Sequence, residues 1–212
     1  MARGERPAQC TYDMAALTPS FFALILKIEG GYQAMPDDAG NYCAGNLIGT
    51  KYGVSAVAFS AWAGRCPTVA EMKALTTDTA FNFYSWYFHY YNLYPIESQK
   101  LFELCANNTM GSPANAARVE QKVLNQLGYS VTVDGVRGPA TIAALNDAWR
   151  KNPATLYNGI RATWIEYLKS LNKPQFLPGW LTRLEYFPPI GTAIGAGAAL
   201  AILALLITFI KK

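Results

Sequence analysis

A run of 21 residues near the C-terminus, from Ile190 to Ile210, contains no charged side chain and is followed by Lys211 and Lys212. About 20 apolar residues at a rise of 1.5 Å span the roughly 30 Å hydrocarbon core of a bilayer. A helix of this length in a water-soluble domain would normally show a polar face, which this run lacks. We therefore predict one C-terminal transmembrane helix over residues 190–210 that binds the lipid membrane.

Two features of the run concern its partners and orientation. Gly191 and Gly195 form a GxxxG spacing, which favours a homodimer through the helix, although small residues are also common in spanning helices that do not pair. Lys211 and Lys212 favour a cytoplasmic tail. Residues 1–17, an N-terminal extension, lack the apolar stretch of an export signal. The orientation of the rest of the chain, residues 1–189, here called the head, relative to the membrane therefore stays open.

The rest of the chain is well supplied for a folded core. Hydrophobic residues make up 51% of the sequence, aromatic residues 13% and charged residues only 15%. This composition excludes intrinsic disorder as the main state. The net charge is +4, and two of the positive charges are the C-terminal lysines. The chain has no basic domain for a phosphate backbone, so we expect no nucleic-acid partner.

Four cysteines lie in the first half of the chain, without a CxxC motif, and the chain has a single histidine, His89. We therefore expect no metal site and no cofactor. Four cysteines allow three disulfide pairings. The sequence leaves open whether one or two disulfides form or whether the thiols stay free and buried: Cys10, Cys43, Cys66 and Cys105.

Helical patterns dominate the head and no β-rich block occurs, so we predict a mainly α fold. Thr18 and Pro19 form a helix start, and Gly30 ends the apolar run that follows. Residues 32–53 are rich in Gly, Asn and Asp and predict a loop or short hairpin. Further helices are predicted at 69–75, 77–91, 114–127, 139–149 and 156–171.

The chain between the last of these helices and the apolar run contains four prolines, which predict a loop that leads to the membrane. Tyr186 and Phe187 in this loop suit the aromatic belt at a membrane interface. The aromatic run from Phe81 to Tyr91 is expected to supply mostly core, with one or two rings lining a ligand cleft.

Glu29 stands at the end of an apolar helix, directly before the sequence Gly-Gly-Tyr. A carboxyl group packed against apolar neighbours is partly desolvated, which disfavours its charged form and suits it to donate a proton. With a second carboxylate across a cleft, such as Asp38, it would meet the needs of glycoside cleavage. The alternative is that Glu29 only ends the helix and that Asp37 and Asp38 are ordinary turn residues.

Three stretches of the first segment, residues 18–111, share a family pattern: Glu29-Gly-Gly-Tyr32, Gly49-Thr-Lys-Tyr-Gly-Val54 and Leu101-Phe-Glu-Leu-Cys-Ala-Asn107. They resemble the EGGY-type N-acetylmuramidases of glycoside hydrolase family 108, lysozyme-like peptidoglycan hydrolases of phages and bacterial secretion systems. Glu103 replaces the usual Asp of the third stretch. The second segment, residues 112–187, resembles the predicted peptidoglycan-binding domain that commonly follows, at 117–121, 133–141, 144–146 and 179–183.

The resemblance implies a lysozyme-like α+β catalytic head, a helical peptidoglycan-binding segment and peptidoglycan glycan strands as the partner. In that family pattern Glu29 is the catalytic general acid, and Asp38 and Thr50 complete the catalytic set. Whether Asp38 acts as nucleophile, base or electrostatic support stays open. The residues expected to bind substrate are Tyr32, Tyr52 and Asn107.

This chain departs from the family in one place, because about seven residues, including Cys43, are inserted between Asp38 and Thr50. In the second segment, Asp134-Gly135 and Gly138-Pro139 predict tight turns, with direct glycan contact as the alternative.

The leading hypothesis is a membrane-anchored N-acetylmuramidase, a phage lytic enzyme that cleaves the β-1,4 bond between N-acetylmuramic acid and N-acetylglucosamine. A lytic transglycosylase, which needs the acid but no nucleophilic carboxylate, is one alternative. A non-catalytic peptidoglycan-binding structural protein of a virion is the other. The membrane is expected to be the internal membrane of a virion or that of the host cell, for penetration of the host or for lysis. A cellular wall-remodelling enzyme is the alternative to these phage roles.

Overall fold

The structure is a computed structural model that describes residues 15–191. Its first part holds four helices and two small antiparallel hairpins: α1 (Pro19–Glu29), β1 (Tyr42–Cys43), β2 (Asn46–Leu47), β3 (Thr50–Lys51), β4 (Val54–Ser55), α2 (Ala56–Ala63), α3 (Val69–Ala74) and α4 (Thr77–Tyr90). Helices fill the rest: α5 (Gln99–Gly111), α6 (Pro113–Gln126), α7 (Pro139–Lys151), α8 (Pro153–Ser170) and α9 (Leu177–Leu184). The predicted mainly α fold is confirmed, and small sheets beside helices are consistent with a lysozyme-like head.

The ends of α1 follow from local side-chain chemistry. The hydroxyl of Thr18 accepts a hydrogen bond from the backbone N–H of Phe21, and Pro19 occupies the first turn, as predicted. Gly30 follows the helix with a φ of 69°, a conformation that glycine adopts without strain. Helix α1 therefore ends at Glu29 and presents this carboxylate at its tip.

The predicted loop at 32–53 folds into two tight hairpins. Tyr42 pairs with Leu47 in the first, and Thr50 pairs with Ser55 in the second. Both turns have two central residues, and a type I′ turn requires positive φ at each of them. The structure meets this requirement at Ala44 (48°), Gly45 (79°), Tyr52 (52°) and Gly53 (75°).

A disulfide holds the first hairpin, which contains the inserted residues. Cys43 on β1 is bonded to Cys66, which follows α2, and their Cα atoms lie 5.7 Å apart. Cys105 is a buried thiol, and burial raises its pKa well above the usual value. Cys10 lies outside the described residues. The structure thus selects one pairing among the alternatives that the sequence left open.

The aromatic run on α4 forms core, as predicted. Phe83, Tyr84 and Phe88 are buried, and the ring of Phe88 packs against Phe21 of α1 and Phe102 of α5 at centroid distances of 6.2 and 5.6 Å. Helix α5, which was not predicted, packs against α6 and α8. Its buried face mixes apolar with polar residues, so it lacks the simple periodicity that indicates a helix.

The segment after α8 differs from the predicted loop. Pro178 lies in the first turn of α9, where proline is compatible with a helix. Phe187 is buried, and its ring packs edge-on against Phe21. The predicted place of Phe187 in an interfacial belt is therefore wrong, because the ring completes the core of the head. Tyr186 is 43% exposed.

No helix within residues 15–191 has the length and apolarity needed to cross a membrane. The predicted spanning segment 190–210 lies outside the described residues except for Ile190 and Gly191, so it stays a prediction, as does the dimer contact at Gly195. Asn158 on α8 exchanges two hydrogen bonds, of 2.9 and 3.0 Å, with the backbone of Ile190. The chain is therefore packed on the head up to the first residue of that segment.

Residues of the second segment form a buried ion pair that ties helices together. Arg137, just before α7, donates from Nε and Nη2 to the two carboxylate oxygens of Glu120 on α6, at 2.7 and 2.6 Å. Nη2 also donates to Oγ1 of Thr109 on α5 at 2.7 Å. Both side chains of the pair are almost fully buried. This network links α5, α6 and the loop that precedes α7.

The Asp134-Gly135 turn is held by Gln121 of α6. The side-chain amide of Gln121 donates to Oδ1 of Asp134 at 2.7 Å, and its carbonyl oxygen accepts from the backbone N–H of Gly135 at 2.9 Å. Gly135 has a φ of 83°. The turn role predicted for this pair is confirmed, since its polar groups are used within the protein.

Candidate active site

Glu29 lies where the end of α1, the β3–β4 turn and helix α9 meet. Its side chain is 20% exposed, and Oε1 lies 2.7 Å from Nη1 of Arg183, which is presented by α9. The sequence predicts apolar neighbours for this carboxyl group, with a second carboxylate and a hydroxyl across a cleft, but no cation. The structure adds a cation from the opposite end of the described chain, so the second segment takes part in the surroundings of Glu29.

The β3–β4 turn closes over Glu29. A Cβ atom at Gly53 would lie 2.7 Å from Cγ and 2.9 Å from Cδ of Glu29, so a larger residue would displace the carboxylate. The turn is held in place by two hydrogen bonds: the N–H of Tyr52 donates to the carbonyl of Gly30 at 3.2 Å, and the hydroxyl of Tyr84 donates to the carbonyl of Tyr52 at 2.9 Å. Tyr52 and Gly53, from the stretch Gly49–Val54, thus hold the β3–β4 hairpin against the carboxylate of Glu29.

Arg183 also reaches α5. Its Nε donates to Oδ1 of Asn107 at 2.6 Å, while Nη1 contacts Glu29. The third nitrogen, Nη2, is buried and has no hydrogen-bond partner among residues 15–191. A buried charged donor without a partner is unfavourable. Asn107 and Glu29 therefore fix the orientation of Arg183 and leave one of its donors for a further acceptor.

Asp38 and Thr50 are joined through one small network. Oδ1 of Asp38 accepts from the N–H of Gly40 at 2.9 Å and caps the 3₁₀ turn Ala39–Asn41. The buried side chain of Asn41 accepts from the hydroxyl of Thr50 at 2.6 Å. Thr50 begins β3, the strand whose turn packs on Glu29. Strand β3 thus connects Thr50 to the turn on Glu29, and Asn41 connects Thr50 to the turn of Asp38, which lies in the loop between α1 and β1.

The residues predicted to bind substrate are used in different ways. The hydroxyl of Tyr32 donates to the carbonyl of Ile48 at 2.8 Å and ties the segment after α1 to the link between the two hairpins. Asn107 is 3% exposed and is engaged with Arg183. Tyr52 is half-buried, and Nζ of Lys51 lies 5.0 Å from its ring centroid. Tyr32 and Asn107 therefore position other groups, and substrate contact by any of the three stays a prediction.

Two tyrosines of α4 lie behind the Glu29 carboxylate. Burial raises the pKa of Tyr84 and of Tyr87 far above neutrality, and the negative charge of Glu29 contributes to both shifts. Both phenols therefore stay protonated and act as donors, Tyr84 to the hairpin and Tyr87 to the carbonyl of Thr109 at 3.1 Å.

A groove of about 500 Å³ opens beside the hairpins. Ala39 and Gly40, which follow Asp38, line one wall together with Ser55, the partner of Thr50 across the hairpin. The opposite wall consists of aromatic residues of α4 and its C-terminus, namely Trp86, Tyr87, Tyr90 and Tyr91. Residues 15–191 contain no group of three or more His, Cys, Asp or Glu side chains that could hold a metal ion.

Sequence reasoning missed Arg183 as a partner of Glu29. The only signal was its place at the end of Gly-Trp-Leu-Thr-Arg, a stretch assigned to the peptidoglycan-binding segment. Nothing in that stretch indicates a contact with α1, because the contact depends on how α9 packs.

Two family models match the sequence. The first, described as Glycosyl hydrolase 108, matches residues 22–107, and the second, described as Predicted Peptidoglycan domain, matches residues 115–185. A solved structure, that of Brucella abortus SagA, is 29% identical, with a TM-score of 0.63, over 80% of this chain and 92% of that chain. No curated protein matches the sequence. The matches support a glycoside hydrolase that degrades peptidoglycan and carries a peptidoglycan domain.

Proposed function

We propose that the chain is an N-acetylmuramidase that hydrolyses the β-1,4 bond between N-acetylmuramic acid and N-acetylglucosamine. The observation that carries the proposal is Glu29, held at a helix tip between the β3–β4 turn and Arg183, which lines a small groove together with Asn107 and Trp180. The two family matches, of residues 22–107 and 115–185, support peptidoglycan as the substrate class.

In this mechanism Glu29 donates a proton to the glycosidic oxygen, so that the leaving sugar departs as an alcohol and the other sugar develops oxocarbenium character. Asp38 acts from the hairpin side. Its Oδ1 is engaged by the N–H of Gly40, so we assign Oδ2 to the attacking water or to the developing positive charge. Thr50 fixes the Asp38 turn through Asn41.

Arg183 acts as a positioning residue for this step. Its guanidinium contacts Oε1 of the carboxyl group that is to donate the proton. We infer that the bound glycan offers an acceptor to Arg183, whose Nη2 has no partner among the described residues, and draws the guanidinium away from Glu29. Asn107 holds Nε of Arg183 during this exchange.

The test is a zymogram in which purified peptidoglycan is digested by the wild type and by Glu29→Gln. We expect the variant to lose at least about a thousandfold in rate, because removal of an essential catalytic acid eliminates protonation of the leaving group. Glu166→Gln, an exposed glutamate on α8, is the matched control and should keep full activity. Unchanged lysis by Glu29→Gln would refute the assignment of the acid.

Mass spectrometry of the products distinguishes hydrolysis from transglycosylation. Hydrolysis adds water and leaves reducing muramic-acid ends, whereas a lytic transglycosylase leaves 1,6-anhydro ends. Anhydro products would replace the proposed hydrolysis by the transglycosylase alternative while keeping Glu29 as the acid.

We further propose that residues 190–210 anchor the enzyme in a membrane, in the setting of a phage lytic enzyme. The Cys43–Cys66 disulfide favours an oxidising compartment for the head, outside a reducing cytoplasm. Either a virion membrane during penetration of the host or the host membrane during lysis supplies this setting. Liposome flotation of the full chain tests the anchor, and failure to float would contradict it.

A further inference from the structure

A small groove of about 120 Å³ lies between the end of α5, helix α8 and helix α9, and Arg183 lines it. Its apolar walls come from Trp164, Trp180 and three leucines of α8, α9 and the end of α8. Pockets that enclose a drug-sized ligand have volumes of about 300 Å³ or more. This groove, here called the Arg183 groove, therefore accepts one substituent of a ligand and not a sugar strand.

The aromatic walls of the Arg183 groove are held by their neighbours. The ring of Trp164 packs on Tyr167 at a centroid distance of 4.8 Å, and Trp180 packs on Phe176 at 5.9 Å. A Cβ atom at Gly111 would lie 3.3 Å from Cζ2 of Trp164, so the end of α5 packs directly on this indole. Walls that are fixed in this way lose little conformational freedom when a ligand binds.

The polar side chains of the Arg183 groove have donors to spare. Nη2 of Arg183 is buried without a partner among residues 15–191. The hydroxyl oxygens of Ser112 and Tyr167 both accept from Nδ2 of Asn115, at 3.0 and 2.9 Å, so each hydroxyl proton is left for another acceptor. Oδ1 of Asn107 already accepts from Nε of Arg183. The lining therefore suits a ligand group that only accepts hydrogen bonds.

The charge of the lining favours an anion. Among the described residues that line the groove, Arg183 is the one cation and none carries a carboxylate. Glu29 contacts Nη1 of Arg183 at 2.7 Å but lies outside the lining. A guanidinium binds a carboxylate through charge-assisted hydrogen bonds, which are stronger than those to a neutral acceptor. The groove therefore fits a carboxylate with a small apolar substituent.

We propose that the Arg183 groove binds a carboxylate whose α-carbon carries a methyl group, with the carboxylate on Nη2 of Arg183 and the methyl group against the tryptophans. Peptidoglycan supplies this chemistry from two sources, the lactyl ether of muramic acid and the alanine at the free end of a stem peptide, whereas N-acetylglucosamine lacks it. The proposal rests on the proposed function. It names the acceptor that draws Arg183 from Glu29 and makes the groove a determinant of substrate specificity.

Calorimetric titration of the full-length chain in detergent tests the groove with small probes. N-acetylmuramic acid and N-acetyl-D-alanyl-D-alanine each carry the carboxylate, and each is paired with its carboxamide, which keeps the shape but loses the charge. We expect at least one acid to bind about tenfold more tightly than its amide, because the amide loses the charge-assisted contact. The probe with the larger difference identifies the source of the carboxylate.

Variants of the lining assign the preference to the groove. Arg183→Gln should abolish the preference for the acid over the amide. Leu171→Glu adds a negative charge to the lining and should weaken binding of the acid about five- to tenfold, while binding of the amide changes less than twofold. Leu127→Glu is the matched control, because Leu127 and Leu171 are both 37% exposed and Leu127 lies outside the groove. It should bind both probes as the wild type does.

Equal affinities of each acid and its amide in the wild type would overturn the proposal, as would the failure of both acids to bind at millimolar concentrations. A preference that survives both Arg183→Gln and Leu171→Glu would overturn it as well. These titrations require no cleavage. Lysis that depends on Glu29 without a preference for the acid would refute the groove alone, whereas a wild type that prefers the acid but leaves sacculi intact would refute the proposed function.

Discussion

Two arginine–carboxylate pairs in this molecule differ in how completely they are satisfied. Glu120 and Arg137 have side-chain exposures of 0% and 1%, make two parallel contacts and extend to Thr109 and the carbonyl of Tyr91. Glu29 and Arg183 are 20% and 21% exposed and make one contact, and Nη2 of Arg183 is unpaired within residues 15–191.

This difference indicates that one pair stabilises the fold and that the other takes part in the reaction. In the inner pair, Glu120 and Arg137, burial alone would lower the pKa of Arg137, but the Glu120 carboxylate outweighs burial and leaves that pKa raised, so the guanidinium stays charged and is fixed by its hydrogen bonds. Such a pair joins helices, but it cannot release either partner without leaving a buried charge. In the outer pair, Glu29 and Arg183, the arginine lines a small groove together with Asn107 and Trp180, so this pair can exchange one partner for a ligand. We therefore assign the inner pair to the fold and the outer pair to the reaction.

The largest expected effect on stability comes from breaking the inner pair. Arg137→Met leaves Glu120 buried without a partner and should lower the free energy of unfolding by about 3–5 kcal/mol. Replacing both residues, with Glu120→Leu added, should recover much of that loss because no buried charge remains. Urea unfolding of the full-length chain in detergent measures both. A loss below about 1 kcal/mol in Arg137→Met would contradict the structural role of the pair.

Breaking the outer pair should instead change the reaction. Arg183→Ala is expected to lower kcat/KM about 10- to 100-fold. The free energy of unfolding should fall by about 1–3 kcal/mol, less than for the inner pair, because the buried Oδ1 of Asn107 loses its donor.

Arg150→Ala is the matched control for that experiment, since Arg150 pairs with Glu97 on the surface at 2.6 Å and lies outside the site. Arg183→Lys keeps the charge but loses the fork that reaches Asn107 and Glu29 together, so it should fall between the wild type and Arg183→Ala. An Arg183→Ala enzyme with the wild-type kcat/KM would show that the outer pair is only structural.

The contrast between the pairs also shows what the sequence could predict. Helix α1 and the position of Glu29 at its tip follow from Thr18, Pro19 and Gly30, signals that act within one turn of the chain. The turn at Asp134 was predicted for the same reason. Local chemistry thus placed the carboxylate of the candidate acid correctly.

Features that depend on packing between distant elements were missed. Helix α5 buries Asn107, Asn108 and Thr109 among apolar residues, and α9 forms despite Pro178, so neither shows a plain helical pattern. The approach of Arg183 to Glu29 follows from both misses, because α5 and α9 supply the two ends of that contact network. The disulfide pairing is likewise set by the fold, which brings the first hairpin to the end of α2.

The smallest expected effect concerns a third pair, which tests whether burial decides the outcome. Arg65 and Glu71 are 57% and 41% exposed and lie 2.6 Å apart. The Arg65 hydrogen bond, aided by hydrogen bonds from Thr68, lowers the pKa of Glu71 from 4.5 to about 2. A lowered folded-state pKa contributes stability that is present above about pH 4.5 and is lost as the pH falls toward 2.

At neutral pH solvent screens the pair, so Arg65→Ala should shift the thermal midpoint far less than Arg137→Met does. Glu71→Gln should flatten the acid dependence of the midpoint between pH 4.5 and 2. Midpoints of the three variants and the wild type at pH 7, 4 and 2.5 provide the measurement. A shift for Arg65→Ala at pH 7 as large as that of Arg137→Met would mean that burial does not distinguish these pairs.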